Sequence, residues 1–73
     1  MSQNVNSKEN CIKRIAFDAL LRKLKGEPVE ANFIIGETIV FVYVAVDSYE
    51  WRVAFYSDGV SEPSLTQILY REA

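Results

Sequence analysis

The sequence contains no histidine and a single cysteine, Cys11. Histidine is the commonest general base near neutral pH, so its absence removes most acid-base and nucleophilic mechanisms. One cysteine allows no disulfide within the chain, and without histidine the usual ligand sets for zinc, copper and haem are missing. We therefore expect no enzymatic activity, no metal and no cofactor, and we interpret Cys11 as a structural or incidental thiol.

Glycine-rich loops and long apolar runs are also lacking. None of the three glycines belongs to a phosphate-binding loop motif. The longest apolar run, residues 39–46, is far shorter than the roughly 20 residues that span a bilayer as a helix. Residues 1–10 are polar and do not resemble a signal peptide. We therefore expect neither nucleotide nor small-molecule binding, no membrane association, and a cytoplasmic location.

What the sequence does contain is apolar and aromatic side chains, at 49% and 12% of its 73 residues. This content is high enough to exclude disorder over most of the chain. A chain of this length supports one small hydrophobic core, because it buries only roughly 60% of its unfolded surface. We predict a flexible tail over residues 1–6 and a single α+β domain over residues 7–73.

The first element is predicted to be a helix. Ser7 is placed to act as its N-cap, and Gly26 followed by Pro28 marks its end. Phe17, Leu21 and Leu24 widen the apolar arc, and we expect the carboxy-terminal segment, or else a partner, to cover them. The stripe predicted to face the core, at helical spacing, consists of Ile12, Ile15, Ala16, Ala19 and Leu20.

After the helix, the apolar period changes from 3.6 to 2, which is typical of strands. Turns at Gly36-Glu37 and Asp47-Ser48 predict a three-stranded antiparallel meander. The predicted strands cover residues 29–35, 38–46 and 49–57. Ser61-Glu62-Pro63 then resembles a helix start, so we predict a short C-terminal helix over residues 64–72 and an α-β-β-β-α fold. A fourth strand through residues 66–70 fits nearly as well.

The turns also predict which strand residues share a face of the sheet. If Ile35 lies opposite Thr38 and Val46 lies opposite Tyr49, one face is wholly apolar and forms the seat for the helix. That face comprises Val29, Ala31, Phe33, Ile35, Val40, Val42, Val44, Trp51, Val53 and Phe55. The opposite face is mixed and comprises Glu30, Asn32, Ile34, Ile39, Phe41, Tyr43, Ala45, Glu50, Arg52, Ala54 and Tyr56.

The mixed face predicts the function. Aromatic side chains and arginine surrounded by charge are typical of protein contact surfaces. We therefore expect a homodimer, or an adaptor, regulator or inhibitor that docks on another protein. Glu30 and Glu50 flank Tyr43 on this face, and we interpret them as solubilising charges of the outer strands rather than as a catalytic pair. The predicted partner-binding residues are Ile39, Phe41, Tyr43, Arg52 and Tyr56.

Charge is distributed unevenly along the chain. Residues 7–26 carry a net charge of +4, and the remainder of the sequence carries −6. The basic helix is a second docking candidate, for an acidic partner or a phosphate backbone, and single-stranded nucleic acid binding is the alternative function. It is disfavoured because the mixed face itself is not basic. The residues predicted for electrostatic docking are Lys8, Arg14, Arg22 and Lys25.

Overall fold

The computed structural model describes the backbone of residues 7–70 and the side chains of residues 8–68. The predicted flexible tail, residues 1–6, lies outside the described residues. The order of elements is α1 (Ser7–Leu24), β1 (Asn32–Ile35), β2 (Ile39–Val46), β3 (Tyr49–Tyr56) and β4 (Ser64–Tyr70). One helix and one antiparallel sheet confirm the predicted α+β class. No helix within residues 7–70 is long and apolar enough to cross a membrane.

Helix α1 ends as its sequence predicts. Gly26 adopts a φ of 85°, in the left-handed region that glycine enters most readily. Its N–H donates to the carbonyl of Lys23 at 3.0 Å, and the Glu27 N–H donates to the carbonyl of Arg22 at 3.0 Å. These two bonds are those of a Schellman motif, which satisfies carbonyls of the last helical turn. The side chain of Ser7, the predicted N-cap, lies outside the described side chains.

The four strands follow one another in the order β1-β2-β3-β4, each antiparallel to the next. Asp47 and Ser48 form the β2–β3 turn with φ of 56° and 69°, and Val46 lies opposite Tyr49 as predicted. The β1–β2 register is different from the prediction, because Ile35 lies opposite Val40 rather than opposite Thr38. A shift of two residues leaves each side chain on the predicted face.

The position of Gly36 explains the shifted register. Its N–H donates to the carbonyl of Ile39 at 2.9 Å, so the turn is centred on Glu37 and Thr38 rather than on Gly36 and Glu37. A Cβ atom at Gly36 would lie 3.1 Å from the Ile39 carbonyl oxygen. Gly36 therefore allows β1 and β2 to approach closely and does not occupy the first central position of the turn.

The predicted C-terminal helix over residues 64–72 is wrong for every residue that the structure describes. Residues 64–70 form β4, which pairs with β3 from Ala54↔Ser64 to Tyr49↔Tyr70. The fold is therefore α-β-β-β-β, and the sheet has four strands rather than three. Leu65, Ile68 and Leu69 lie at helical spacing and favoured a helix, whereas the segment forms its hydrogen bonds with β3, a pairing that its local sequence does not indicate. A register shift between Glu50 and Trp51 marks a β-bulge in this pairing.

The core lies between α1 and one face of the sheet. Ile12, Ala16 and Ala19 are buried against Val42, Val44 and Val53, with Phe33, Trp51, Phe55 and Leu65 among the side chains packed around them. Val42 and Trp51 thus lie on the helix side, as the predicted division into two faces requires.

Two predictions about the helix surface are corrected. Ile15, assigned to the buried stripe, is 41% exposed at the flank of α1. Within residues 64–68, the C-terminal segment does not cover Phe17, Leu21 and Leu24, because β4 joins the sheet beside β3. The Phe17 ring packs against Phe55 with centroids 5.8 Å apart, yet Phe17 remains 47% exposed. Helix α1 therefore has exposed apolar surface on both sides of the stripe that packs on the sheet.

Candidate protein interface

The sheet has an outer face, on the side away from α1. Side chains along a strand alternate between the two faces of the sheet, so the residues that alternate with the core positions belong to the outer face. No element within residues 7–70 covers this face, since the helix packs on the other side. Its residues are Asn32, Ile34, Ile39, Phe41, Tyr43, Ala45, Glu50, Arg52, Ala54, Tyr56, Ser64 and Thr66.

The centre of the outer face is a stacked pair. The Arg52 guanidinium carbon lies 4.8 Å from the centroid of the Phe41 ring, which is within the range of a cation–π contact. Tyr43 lies directly opposite Arg52, and Ala54 lies opposite Phe41. Ala54 is buried although it belongs to the open face, because larger side chains stand at the surrounding positions. The centre is therefore a packed surface and not a set of separate side chains.

The margin of the outer face is apolar at one end. Ile39 lies opposite Tyr56, and Ile34 is 56% exposed on the edge strand β1. The Tyr56 hydroxyl and the Ser64 Oγ are 3.1 Å apart, so a hydrogen bond joins β3 to β4. The five predicted partner-binding residues thus lie on one face of two neighbouring strands. Ser64 and Thr66, which extend this face, were missed because their segment was assigned to a helix.

The other end of the outer face is acidic. Glu30 and Glu50 line one shallow depression, together with Asn32, Tyr43 and Ala45. Glu30 is exposed and Glu50 is half-buried. Among residues 7–70, no group of three or more acidic or cysteine side chains is arranged to hold a metal ion. What this end offers a partner is negative charge beside an aromatic patch.

Of the basic residues predicted for electrostatic docking, Lys8, Arg14 and Arg22 lie on α1 and Lys25 lies in the turn after it, so none of them belongs to the outer face. The Lys8 Nζ is 3.1 Å from an Asp47 carboxylate oxygen, and the Arg22 Nε is 3.4 Å from Asp18. Both ion pairs are exposed, so each contributes less than about 1 kcal/mol to stability. The basic residues of α1 therefore lie on the opposite side of the sheet from the aromatic patch, where Arg52 is the one basic residue among the described outer-face residues.

A hydrogen-bonded turn stands at the apolar end of the outer face, between β3 and β4. The Asp58 carboxylate accepts from the Ser61 Oγ at 2.6 Å and from the N–H groups of Ser61 and Val60, each at 2.9 Å. These bonds, the Ser61 hydroxyl first, lower the pKa of Asp58 from 3.8 to about 2. The turn holds Ser57 and Asp58 next to Ile39 and Tyr56.

The outer face thus combines an arginine-capped aromatic centre, an apolar margin and an acidic margin. None of these features is a catalytic constellation, and each occurs in protein contact surfaces. Compared with known proteins, the chain matches no protein-family model, no curated protein and no solved structure at a significant level.

Proposed function

We propose that this protein is a small non-enzymatic interaction module that binds another protein, or a second copy of itself, through the outer face. In the first case it acts as an adaptor, regulator or inhibitor. The observation that carries the proposal is the Phe41–Arg52 pair at the centre of a face that no element within residues 7–70 covers. Buried aromatic and arginine side chains carry most of the binding energy at protein interfaces.

The same geometry disfavours single-stranded nucleic acid as the ligand. Bases would have to stack on Phe41, and the Arg52 guanidinium already lies over that ring. Glu30 and Glu50 add negative charge to the outer face. Binding to phosphates requires positive potential next to the stacking platform, and here the basic residues within residues 7–70 other than Arg52 lie on α1 or in the turn after it. A protein surface with positive charge opposite Glu30 and Glu50 fits better.

The test replaces Phe41 and Tyr43 together with threonine, which keeps the strand propensity and removes the rings. The tagged protein and the double variant are used to capture partners from the native cell, and assembly is measured by mass. We expect the double variant to lose the partner, because the packed centre of the outer face is gone. The matched control replaces two exposed apolar residues of α1, Leu21→Ser and Leu24→Ser, and should retain the partner.

Circular dichroism and the emission of Trp51 show whether each variant is folded. A folded Phe41→Thr/Tyr43→Thr protein that retains its partner would contradict the proposal. Labelled single-stranded DNA and RNA are titrated at low salt in parallel. Binding that disappears in the double variant would assign the outer face to nucleic acid instead.

A further inference from the structure

The second open feature of the fold is the free edge of β4. This strand pairs with β3 on one side, and no strand within residues 7–70 pairs with its other side. Its seven residues, SLTQILY, contain no charged side chain and no proline. Proteins ordinarily protect an edge strand by charges, proline, shortness, a β-bulge or a cover, because unpaired N–H and C=O groups bind other strands.

The opposite edge of the sheet shows such protection. β1 has only four residues. A strand that short offers few backbone groups to a second copy. β4 is nearly twice as long as β1, and its run from Ser64 to Gln67, before the register shift opposite Glu50/Trp51, is regularly paired with β3. The two edges are therefore not equivalent, and β4 is the one suited to pairing.

The helix side of β4 is also incompletely covered. A helix is about 10 Å wide, whereas four strands at about 4.8 Å spacing extend over roughly 14 Å between the outer strand axes. α1 packs mainly over β2 and reaches β3. Phe55 and Leu65 remain half-buried, and Phe17, which packs against Phe55, is 47% exposed. An apolar strip thus runs along the helix flank next to the free edge.

We propose that β4 pairs antiparallel with β4 of a second copy across a two-fold axis, forming one continuous eight-stranded sheet. An axis perpendicular to the sheet keeps both helices on the same side. Each copy then brings Leu65 and its apolar strip to the seam, where the two strips cover each other. Because β4 contains no charged side chain, two copies of it do not repel each other. The second copy therefore hydrogen-bonds the unpaired backbone groups of β4 and covers the apolar strip.

This dimer uses an edge and not the outer face, so it does not depend on the proposed function. The two outer faces lie on the same side of the eight-stranded sheet and become one surface of twice the area. A partner that binds the outer face is then bound by two equivalent patches side by side.

The test is the oligomeric state of Gln67→Lys as a function of concentration, by analytical ultracentrifugation. Gln67 is exposed and lies opposite Trp51, on the helix side, so the substitution leaves the outer face intact. Two lysines near the axis should raise the dissociation constant of the dimer by about tenfold or more. The matched control is Ile35→Lys, which places the same charge on the helix side of β1 at the opposite edge, where the side chain is 58% exposed, and should leave the constant unchanged.

Hydrogen exchange provides a second measurement on the unmodified protein. Amides of residues 64–68 should exchange more slowly at concentrations that form the dimer, while those of β1 should not change. A monomer at all concentrations, or a dimer that Gln67→Lys does not weaken, would overturn the proposal. A dimer that Phe41→Thr/Tyr43→Thr dissociates and Gln67→Lys does not would assign self-association to the outer face.

Discussion

Two isoleucines on α1 allow a direct test of how the helix sits on the sheet. Ile12 is 1% exposed, and Ile15, less than one turn later, is 41% exposed. Replacing each with alanine removes the same atoms from the same helix and changes helix propensity equally. The difference between the two variants therefore reports burial alone, and we expect Ile12→Ala to be the more destabilising.

The magnitude follows from the burial of each side chain. Isoleucine to alanine removes three carbons, worth about 0.8 kcal/mol each when fully buried. With the cavity left between α1, Val42 and Val53, Ile12→Ala should lower the free energy of unfolding by about 3 kcal/mol. The Ile15 side chain is only roughly 60% buried, and its truncation leaves no closed cavity. Ile15→Ala should therefore lower the free energy of unfolding by only about 1.5 kcal/mol. A chain of 73 residues has about 4 to 11 kcal/mol in total.

The assay is urea unfolding followed by the fluorescence of Trp51, the single tryptophan. Its indole N–H donates to the carbonyl of Val46 at 3.3 Å, and its ring packs against the core, so emission reports the β2–β3 packing. With a urea dependence of about 1 kcal/mol per molar, the midpoints should differ by about 1.5 M. All measurements are made at one protein concentration, because a dimer shifts the midpoint.

Equal loss in the two variants, or greater loss in Ile15→Ala, would refute the placement of α1. The helix would then have to be rotated by roughly 60° about its axis, with Ile15 directed to Val42 and Val53. A rotation of that size would also withdraw Ala16 from the core and cover less of Ile12. The comparison of the two variants distinguishes these arrangements without a new structure.

The remaining predictions concern the Asp58 turn and the end of α1. Ser61→Ala removes the largest cause of the shift, so the Asp58 pKa should rise from about 2 toward 3.8 in an NMR titration. The folded pKa of Asp58 lies below its unfolded value, so the stability that this carboxylate contributes is complete above pH 3.8 and is lost as the pH falls through about 2. The difference in urea midpoint between the wild-type protein and Asp58→Asn should therefore vanish over that pH interval. Gly26→Ala should cost about 1 kcal/mol because of the φ of 85°, and Gly26→Asn should cost less; stabilisation by alanine would contradict the left-handed helix end.

The parts of the fold that local patterns determine were predictable from the sequence. Gly26 and Pro28 defined the end of α1, and the Asp47-Ser48 turn fixed the β2–β3 register, which the structure confirms. The division of β2 and β3 into an apolar and a mixed face followed from that register. The β1–β2 register differed because Gly36 is required by the close approach of Ile39 and not by the turn itself.

Residues 64–70 were not predictable in the same way, because their structure depends on a partner strand. Pro63 and the spacing of Leu65 and Ile68 suit a helix start, and Thr66 suits a strand. The decision is made by β3, because its N–H and C=O groups between Tyr49 and Ala54 that point away from β2 pair with β4. The local propensity of residues 64–70 contains no information about this pairing with β3.

The fourth strand also changes what the rest of the molecule must do. A three-stranded sheet, roughly 10 Å between its outer axes, is about as wide as one helix, and α1 would have covered its apolar face. β4 adds one strand spacing beyond the reach of α1, so Leu65 is only half-buried and Phe17 on the helix flank remains 47% exposed. The same strand also has an uncharged free edge. The apolar side chains that α1 does not cover and the unpaired backbone groups therefore lie at one place, along β4. A second copy joined there covers the former and pairs with the latter, which leaves the outer face available for the partner that the Phe41–Arg52 pair indicates.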